Sequence, residues 1–82
     1  MKKYYKAQIL DICVFRASDA DYQYAVIYRN LTTRSCGASF HKTLENAVSQ
    51  SKVTAKRTFL EVLDVRKVYE ITKDEYKQAV AA

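Results

Sequence analysis

The sequence predicts an α+β fold: a single antiparallel sheet of about four strands, a main helix packed on one face and a short C-terminal helix. Three observations lead there. Aromatic and β-branched residues recur with period two in the first half of the chain, a 3.6-residue apolar period begins at Leu44, and strand-like alternation returns after Glu61. The connections between the first three strands are short, which implies an antiparallel meander, and the predicted order is β-β-β-α-β-α.

Residues 4–16, YYKAQILDICVFR, are rich in β-formers and long for one strand. Tyr5, Ala7 and Ile9 share a face. Beyond Asp11 the apolar residues Ile12, Cys13, Val14 and Phe15 are consecutive, which predicts a strand buried on both faces or a bulge near Leu10–Asp11. Ser18 to Asp21 read as a polar turn. Residues 22–29, YQYAVIYR, alternate cleanly, with Tyr22, Tyr24, Val26 and Tyr28 on one face and Gln23, Ala25, Ile27 and Arg29 on the other. Asn30 to Thr33 turn the chain into a third strand over residues 34–40.

Thr43 is suited to cap a helix, because its hydroxyl accepts from backbone N–H groups of the first turn, and Glu45 favours the positive end of the helix dipole. Leu44, Ala47, Val48, Ser51, Ala55 and Phe59 fall in one stripe whose small middle lets the helix lie close on a sheet. From Glu61 to Ile71, Leu63 and Val65 alternate with Asp64 and Arg66 until the phase slips at Val68. Thr72 and Glu75 match a capping box ahead of a short helix, 73–81, expected to dock through Tyr76 and Val80.

At 82 residues the chain is expected to form one domain, residues 1–82. A domain of this size buries roughly 60% of the surface its unfolded chain exposes, so a surface site is the less costly design than a deep catalytic cavity. There is no Pro and only one Gly, so Asn, Asp, Ser and Thr must make the turns. Fourteen Lys and Arg against nine Asp and Glu give a formal charge of +5, a mild bias towards acidic partners. Cys13 and Cys36 form no dense disulfide framework. Lys2 and Lys3 lead into Tyr4 and Tyr5 and not into an apolar leader, and no run of apolar residues is long enough to span a membrane. The expected location is the cytoplasm.

Catalytic and metal motifs are missing. His41 is the only histidine, and no GxSxG, HExxH or P-loop accompanies it, so its expected role is structural. Asp19 and Asp21 resemble the start of a calcium loop, but Tyr24 and Asn30 stand where that loop needs Gly and Glu. Two cysteines and one histidine do not complete a zinc site, and buried free thiols are the expected reading. Neither a metal nor an organic cofactor is implied, and the chain reads as a non-enzyme.

Binding residues are the better candidates. If Ala25 and Ile27 face the helix, then Tyr22, Tyr24 and Tyr28 line an open sheet face with Arg29 nearby, a surface able to stack single-stranded bases or to contact a protein. The alternative is that tyrosine simply packs well in strands. Lys52, Lys56 and Arg57 form a basic ridge on the helix, either a phosphate contact or the solvated side of an amphipathic helix. The element order is not that of an RRM, and no GxxG clamp, zinc finger or basic zipper occurs.

The stretches FHKTLENAV and VLDVRKVYEIT, a strand running into a capped T-x-E-x-A helix and then a returning strand, resemble the layout of short bacteriophage and mobile-element accessory proteins. The resemblance implies a stand-alone protein acting in a host cytoplasm on a host machine such as a polymerase, a nuclease or a defence complex. It carries over no site residue. The expected function is thus a non-catalytic binding module, a phage-encoded inhibitor or adaptor of a host protein or ribonucleoprotein complex. The alternative is a small basic protein that binds RNA or single-stranded DNA. A monomer or a homodimer formed through an exposed strand edge fits either reading.

Overall fold

The computed structural model describes residues 2–81. The elements follow in the order β1 (Lys3–Ile9), β2 (Ile12–Ser18), β3 (Tyr24–Asn30), β4 (Cys36–His41), α1 (Leu44–Ala55), β5 (Leu60–Lys67), β6 (Tyr69–Ile71) and α2 (Lys73–Ala81). The fold is α+β as the sequence predicts. Its strands, however, form two three-stranded antiparallel sheets, ordered β2-β1-β6 and β4-β3-β5, and not one sheet of four.

The first correction explains the second sheet. Residues 4–16 do not form one long strand but belong to a hairpin that turns at Leu10–Asp11, with Ile9 opposite Ile12. The segment carries two inward-facing sets, Tyr5, Ala7 and Ile9, then Ile12 and Val14. A two-residue turn lays these sets side by side. The turn requires a left-handed backbone at Leu10, whose φ is 53°. The returning segment also divides. β5 pairs with β3, β6 pairs with β1, and the chain passes from one sheet to the other at Val68, whose N–H donates to the Gln23 carbonyl at 2.9 Å.

The core lies between the sheets. Ala25 and Ile27 of β3 and Phe40 of β4 meet Tyr5 and Ala7 of β1 together with Val68, and Ile9, Ile12, Val14, Ala38 and Leu63 close around them. Ile27 stands opposite Asp64 while Tyr28 stands opposite Val62, so Leu63 is the extra residue of a bulge. The bulge moves the phase slip to Leu63–Asp64, five residues before the Val68 position read from the sequence. Leu63 turns into the core, whereas Val65, opposite Val26, takes the outer face.

α1 packs on β3, β4 and β5 from outside. It covers the face of Val26, which is fully buried apart from the inter-sheet cluster. The helix therefore lies over the Tyr24, Val26 and Tyr28 face, opposite to the arrangement that would leave those tyrosines open. Its buried face also differs from the predicted stripe. Ala47 and Thr54 are buried and Gln50 and Ser51 half-buried, while Leu44, Val48 and Ala55 are exposed and Phe59 falls beyond the helix. The Thr43 hydroxyl caps the helix as expected, accepting from the Asn46 N–H at 3.1 Å.

α2 docks on the outer face of β1 and β2 through Tyr76, whose ring lies 5.0 Å from that of Tyr4, but Val80 remains exposed. The capping box is half made. Thr72 Oγ1 accepts from the Glu75 N–H at 3.1 Å, and the Glu75 carboxylate meets the same hydroxyl instead of the Thr72 N–H.

The backbone at Leu10 yields a direct prediction. A branched side chain at positive φ costs roughly 1–2 kcal/mol, and glycine occupies that region freely, losing part of the gain to its own chain entropy. Leu10→Gly raises the unfolding free energy by about 1 kcal/mol in urea titration, although it removes a large apolar side chain.

Candidate functional site

The structure disperses the tyrosines that the sequence grouped. Tyr22 precedes β3 and enters the seam between the sheets, edge-on to Tyr5 at 5.4 Å and 5.7 Å from Phe40, with the Arg16 guanidinium 5.4 Å above its ring. The Tyr5 hydroxyl fixes the adjacent turn by donating to the Ala20 carbonyl at 2.7 Å. Tyr24 is half-buried on the outer face between His41 and Lys67. Tyr28 lies across Gly37, where a Cβ would stand 3.0 Å from its hydroxyl. Missing side-chain bulk at Gly37 is what lets that ring lie flat on β4. The three rings do not form one platform.

Of the other predicted residues, Arg29, Lys56 and Arg57 lie towards one end of the molecule. Arg29, at the far end of β3, has its guanidinium 3.9 Å from the Glu61 carboxylate and lines an open cleft of about 600 Å³. The β1–β2 turn contributes Asp11 and Ile12 to that cleft, and the β3–β4 turn contributes Leu31, Arg34 and the start of β4 at Cys36. The turn between α1 and β5 joins the same end, because the Leu31 N–H donates to the Phe59 carbonyl at 2.8 Å. Lys56 caps α1, and the Arg57 N–H donates to the Thr54 carbonyl at 3.1 Å, so these two cations start that turn. Lys52 lies one helical turn before Lys56, and all three are exposed.

Each of these three turns carries an exposed apolar residue, and Arg29 and Arg34 line the cleft between them. Leu10 is 85% exposed, Leu31 50% and Phe59 44%. Arg34 and Leu10 are also the two non-glycine residues with positive φ among the described residues, at 63° and 53°. The Asn30 side chain holds the second loop in shape, accepting from the N–H groups of Thr32 at 2.9 Å and Thr33 at 3.1 Å. Sequence reasoning missed Leu10, Leu31, Phe59 and Arg34. The available signal was the occurrence of Leu10 and Leu31 at turn positions that polar residues normally fill.

Catalytic chemistry finds no assembled machinery at this end. Cys36 and His41 occupy opposite ends of β4, about 17 Å apart along an extended strand. Both thiols are free, but neither is buried as expected, since Cys13 is exposed on β2 and Cys36 is half-buried at the start of β4. Among the described residues no group of three or more His, Cys, Asp and Glu side chains is placed to hold a metal ion, and no helix is long and apolar enough to cross a membrane. His41 bonds instead to the Ser39 hydroxyl at 2.9 Å. No protein family, no curated protein and no solved structure matches the chain.

Burial holds the pKa of His41 below its ordinary value of 6.5. The folded protein therefore binds this proton less readily than the unfolded chain. The contribution to stability is fully present above the unfolded value and is lost as pH falls through the lowered folded one. Asp21, held down by its ion pair with Lys3, adds a second loss at more acidic pH, since its folded pKa lies below its ordinary 3.8. Thermal melts from about pH 7.5 to pH 5.5 show a falling midpoint, and His41→Gln flattens that first slope while leaving the more acidic one in place.

Proposed function

We propose that this protein is a non-catalytic binding module that acts as an adaptor or inhibitor, gripping a protein component of a larger complex with the three-loop end. The observation that carries this reading is that Leu31, half exposed, lines the cleft, while exposed Leu10 adjoins Asp11 of its wall and exposed Phe59 is bonded to Leu31 through the backbone. Exposed apolar groups clustered on a small domain mark an interaction surface, because isolated exposure is ordinary but a rimmed group is not. Arg29, Arg34, Lys56 and Arg57 supply the polar rim and favour a partner with acidic residues around an apolar centre.

Backbone strain supports the same reading. A leucine held at positive φ and almost wholly in water stabilises nothing within the chain, so its value lies in what it contacts elsewhere. The resemblance to bacteriophage accessory proteins favours a host machine as the partner, with a ribonucleoprotein complex among the candidates. Lys52, Tyr24 and Tyr28 lie outside this end and are assigned no contact with the protein partner.

Burying a leucine side chain at an interface is worth about 1.5–3 kcal/mol. In capture from a nuclease-treated host lysate, the wild-type chain retains a defined protein, and Leu10→Gly weakens its retention about tenfold or more although the fold becomes more stable. Arg34→Glu weakens it as well. Equal retention by wild type and both variants removes the three-loop end from the interface.

A further inference from the structure

β2 is an edge strand of its sheet, and its outer side is open. Ile9 pairs with Ile12 across a two-residue turn, so Ile12, Val14, Arg16 and Ser18 direct their backbone groups at β1. Cys13, Phe15 and Ala17 direct theirs at the free edge. Among the described residues no other strand and no loop backbone bonds to those N–H and C=O groups. Proteins normally blunt such an edge with charges, proline, a bulge or a short strand. The other edges carry devices of this kind. β5 has the bulge at Leu63 and the charged Glu61, Asp64, Arg66 and Lys67, and β6 is three residues long. β4 has Arg16 laid over its Phe40 ring at 5.9 Å. β2, by contrast, pairs with β1 without a break over seven residues. Its one charge, Arg16, is drawn across the seam onto Tyr22 and Phe40.

α2 points to what the edge lacks. The helix starts where β6 ends and packs on β1 and β2, so it crosses the sheet towards the free edge. Tyr76 rests on Tyr4 of β1. Val80, one turn further along the same helix face, is 56% exposed. An apolar residue on the sheet side of a helix is left bare where the sheet ends, and one more strand beside β2 gives it a floor.

We propose that this added strand is β2 of a second copy of the chain, running antiparallel about a two-fold axis at Phe15. Phe15 is the middle residue of β2, so this register pairs the strand with its copy over its whole length. It sets Phe15 against the partner's Phe15 and Cys13 against the partner's Ala17. All of these direct their backbone groups outward, and the pairing closes about six hydrogen bonds. Arg16 meets the partner's Val14, so no like charges oppose one another along the strand. Sliding the register by two residues, the smallest step that keeps the outward groups in line, leaves two residues of each strand unpaired. The edge is thus its own best complement, which selects a second copy over a foreign strand. The joint sheet has six strands, a common size, where three is small. One strand and a helix end bury less than the roughly 1,200 Å² of stable complexes, so the dimer is weak, in the micromolar range or above. The inference does not depend on what the cleft binds.

The test is sedimentation velocity on the full chain from micromolar to near-millimolar concentration, with cross-linking to read the register. The wild type passes from monomer to dimer. Phe15→Lys places two cations opposite each other and weakens association at least tenfold, while its thermal melt stays that of a folded chain. In a Cys36→Ser background, Ala17→Cys forms a covalent dimer with Cys13 under mild oxidation, because the paired Cα atoms lie about 5.5 Å apart. The Cys36→Ser chain without that change does not, since its two copies of Cys13 are about 14 Å apart. A chain that stays monomeric at near-millimolar concentration overturns the proposal. So does a dimer that a folded Phe15→Lys variant leaves intact, or one in which Ala17→Cys gives no bridge.

Discussion

The fold depends on the passage of the chain through Val68, because there one continuous segment leaves the β4-β3-β5 sheet and enters the β2-β1-β6 sheet. Each has a face to bury, and the face of one is the only cover for the other. Val68 fixes them in that relation. Its side chain enters the core, its N–H donates to the Gln23 carbonyl, and the Gln23 N–H is in turn donated to His41. One backbone segment, Gln23, is thereby tied to both the returning strand and β4. With β5 hydrogen-bonded to β3 and β6 to β1, the chain itself sets the separation at which Ala25 and Ile27 meet Tyr5 and Ala7. The small residues Ala7 and Ala25 then make sense, since the sheets approach closely where the chain leaves no slack between them.

This arrangement explains which parts of the structure were legible in the sequence. The period-two pattern of residues 22–29 identifies a strand, and Thr43 and Thr72 mark helix starts, because those signals are local. β3, however, is buried on both sides, by the other sheet at Ala25 and Ile27 and by α1 at Val26. Alternation then separates two faces without saying what covers each, and the sequence leaves open which one the helix takes. The turn at Leu10–Asp11 lacks the Asn-Gly or Gly signal of a tight hairpin, so its position was read as a possible bulge. The actual bulge, at Leu63–Asp64, lies in a segment where Val62, Leu63 and Val65 are all apolar, and only pairing with β3 shows which one is extra. The rotation of α1 has the same origin. Ala47, Ser51 and Thr54 face the sheet because small side chains fit above Val26, while the larger Leu44 and Val48 remain outside.

The candidate residues fared according to whether their neighbours were local. Lys52 lies on the exposed side of the helix as helical spacing requires, whereas Lys56 falls at its cap and Arg57 in the turn beyond, so the three do not form one ridge on the helix. Arg29 reaches the cleft only because two turns distant in sequence, at Asp11 and at Leu31, close around it. Tyr22 reads in sequence as a member of the β3 stripe, yet it precedes the strand and rotates into the seam against Tyr5 and Phe40. The pairing of β6 with β1 brings distant parts of the chain together, and no sequence period announces it. Sites assembled from several strands or loops are a property of topology, and sequence spacing carries that information only for adjacent strands.

The cleft owes its shape to its place at the end of β3. Arg29, which lines it, and Asn30, which shapes one of its loops, close the central strand of a sheet, a strand buried at Ala25, Val26 and Ile27. Local opening is less frequent in a strand buried on both faces than in the turns beyond it, so the base of the cleft is held while its rim is made of turns. A chain of this size has little core to spend on a deep pocket, and turns anchored on a buried strand form a contact surface that a small core can support.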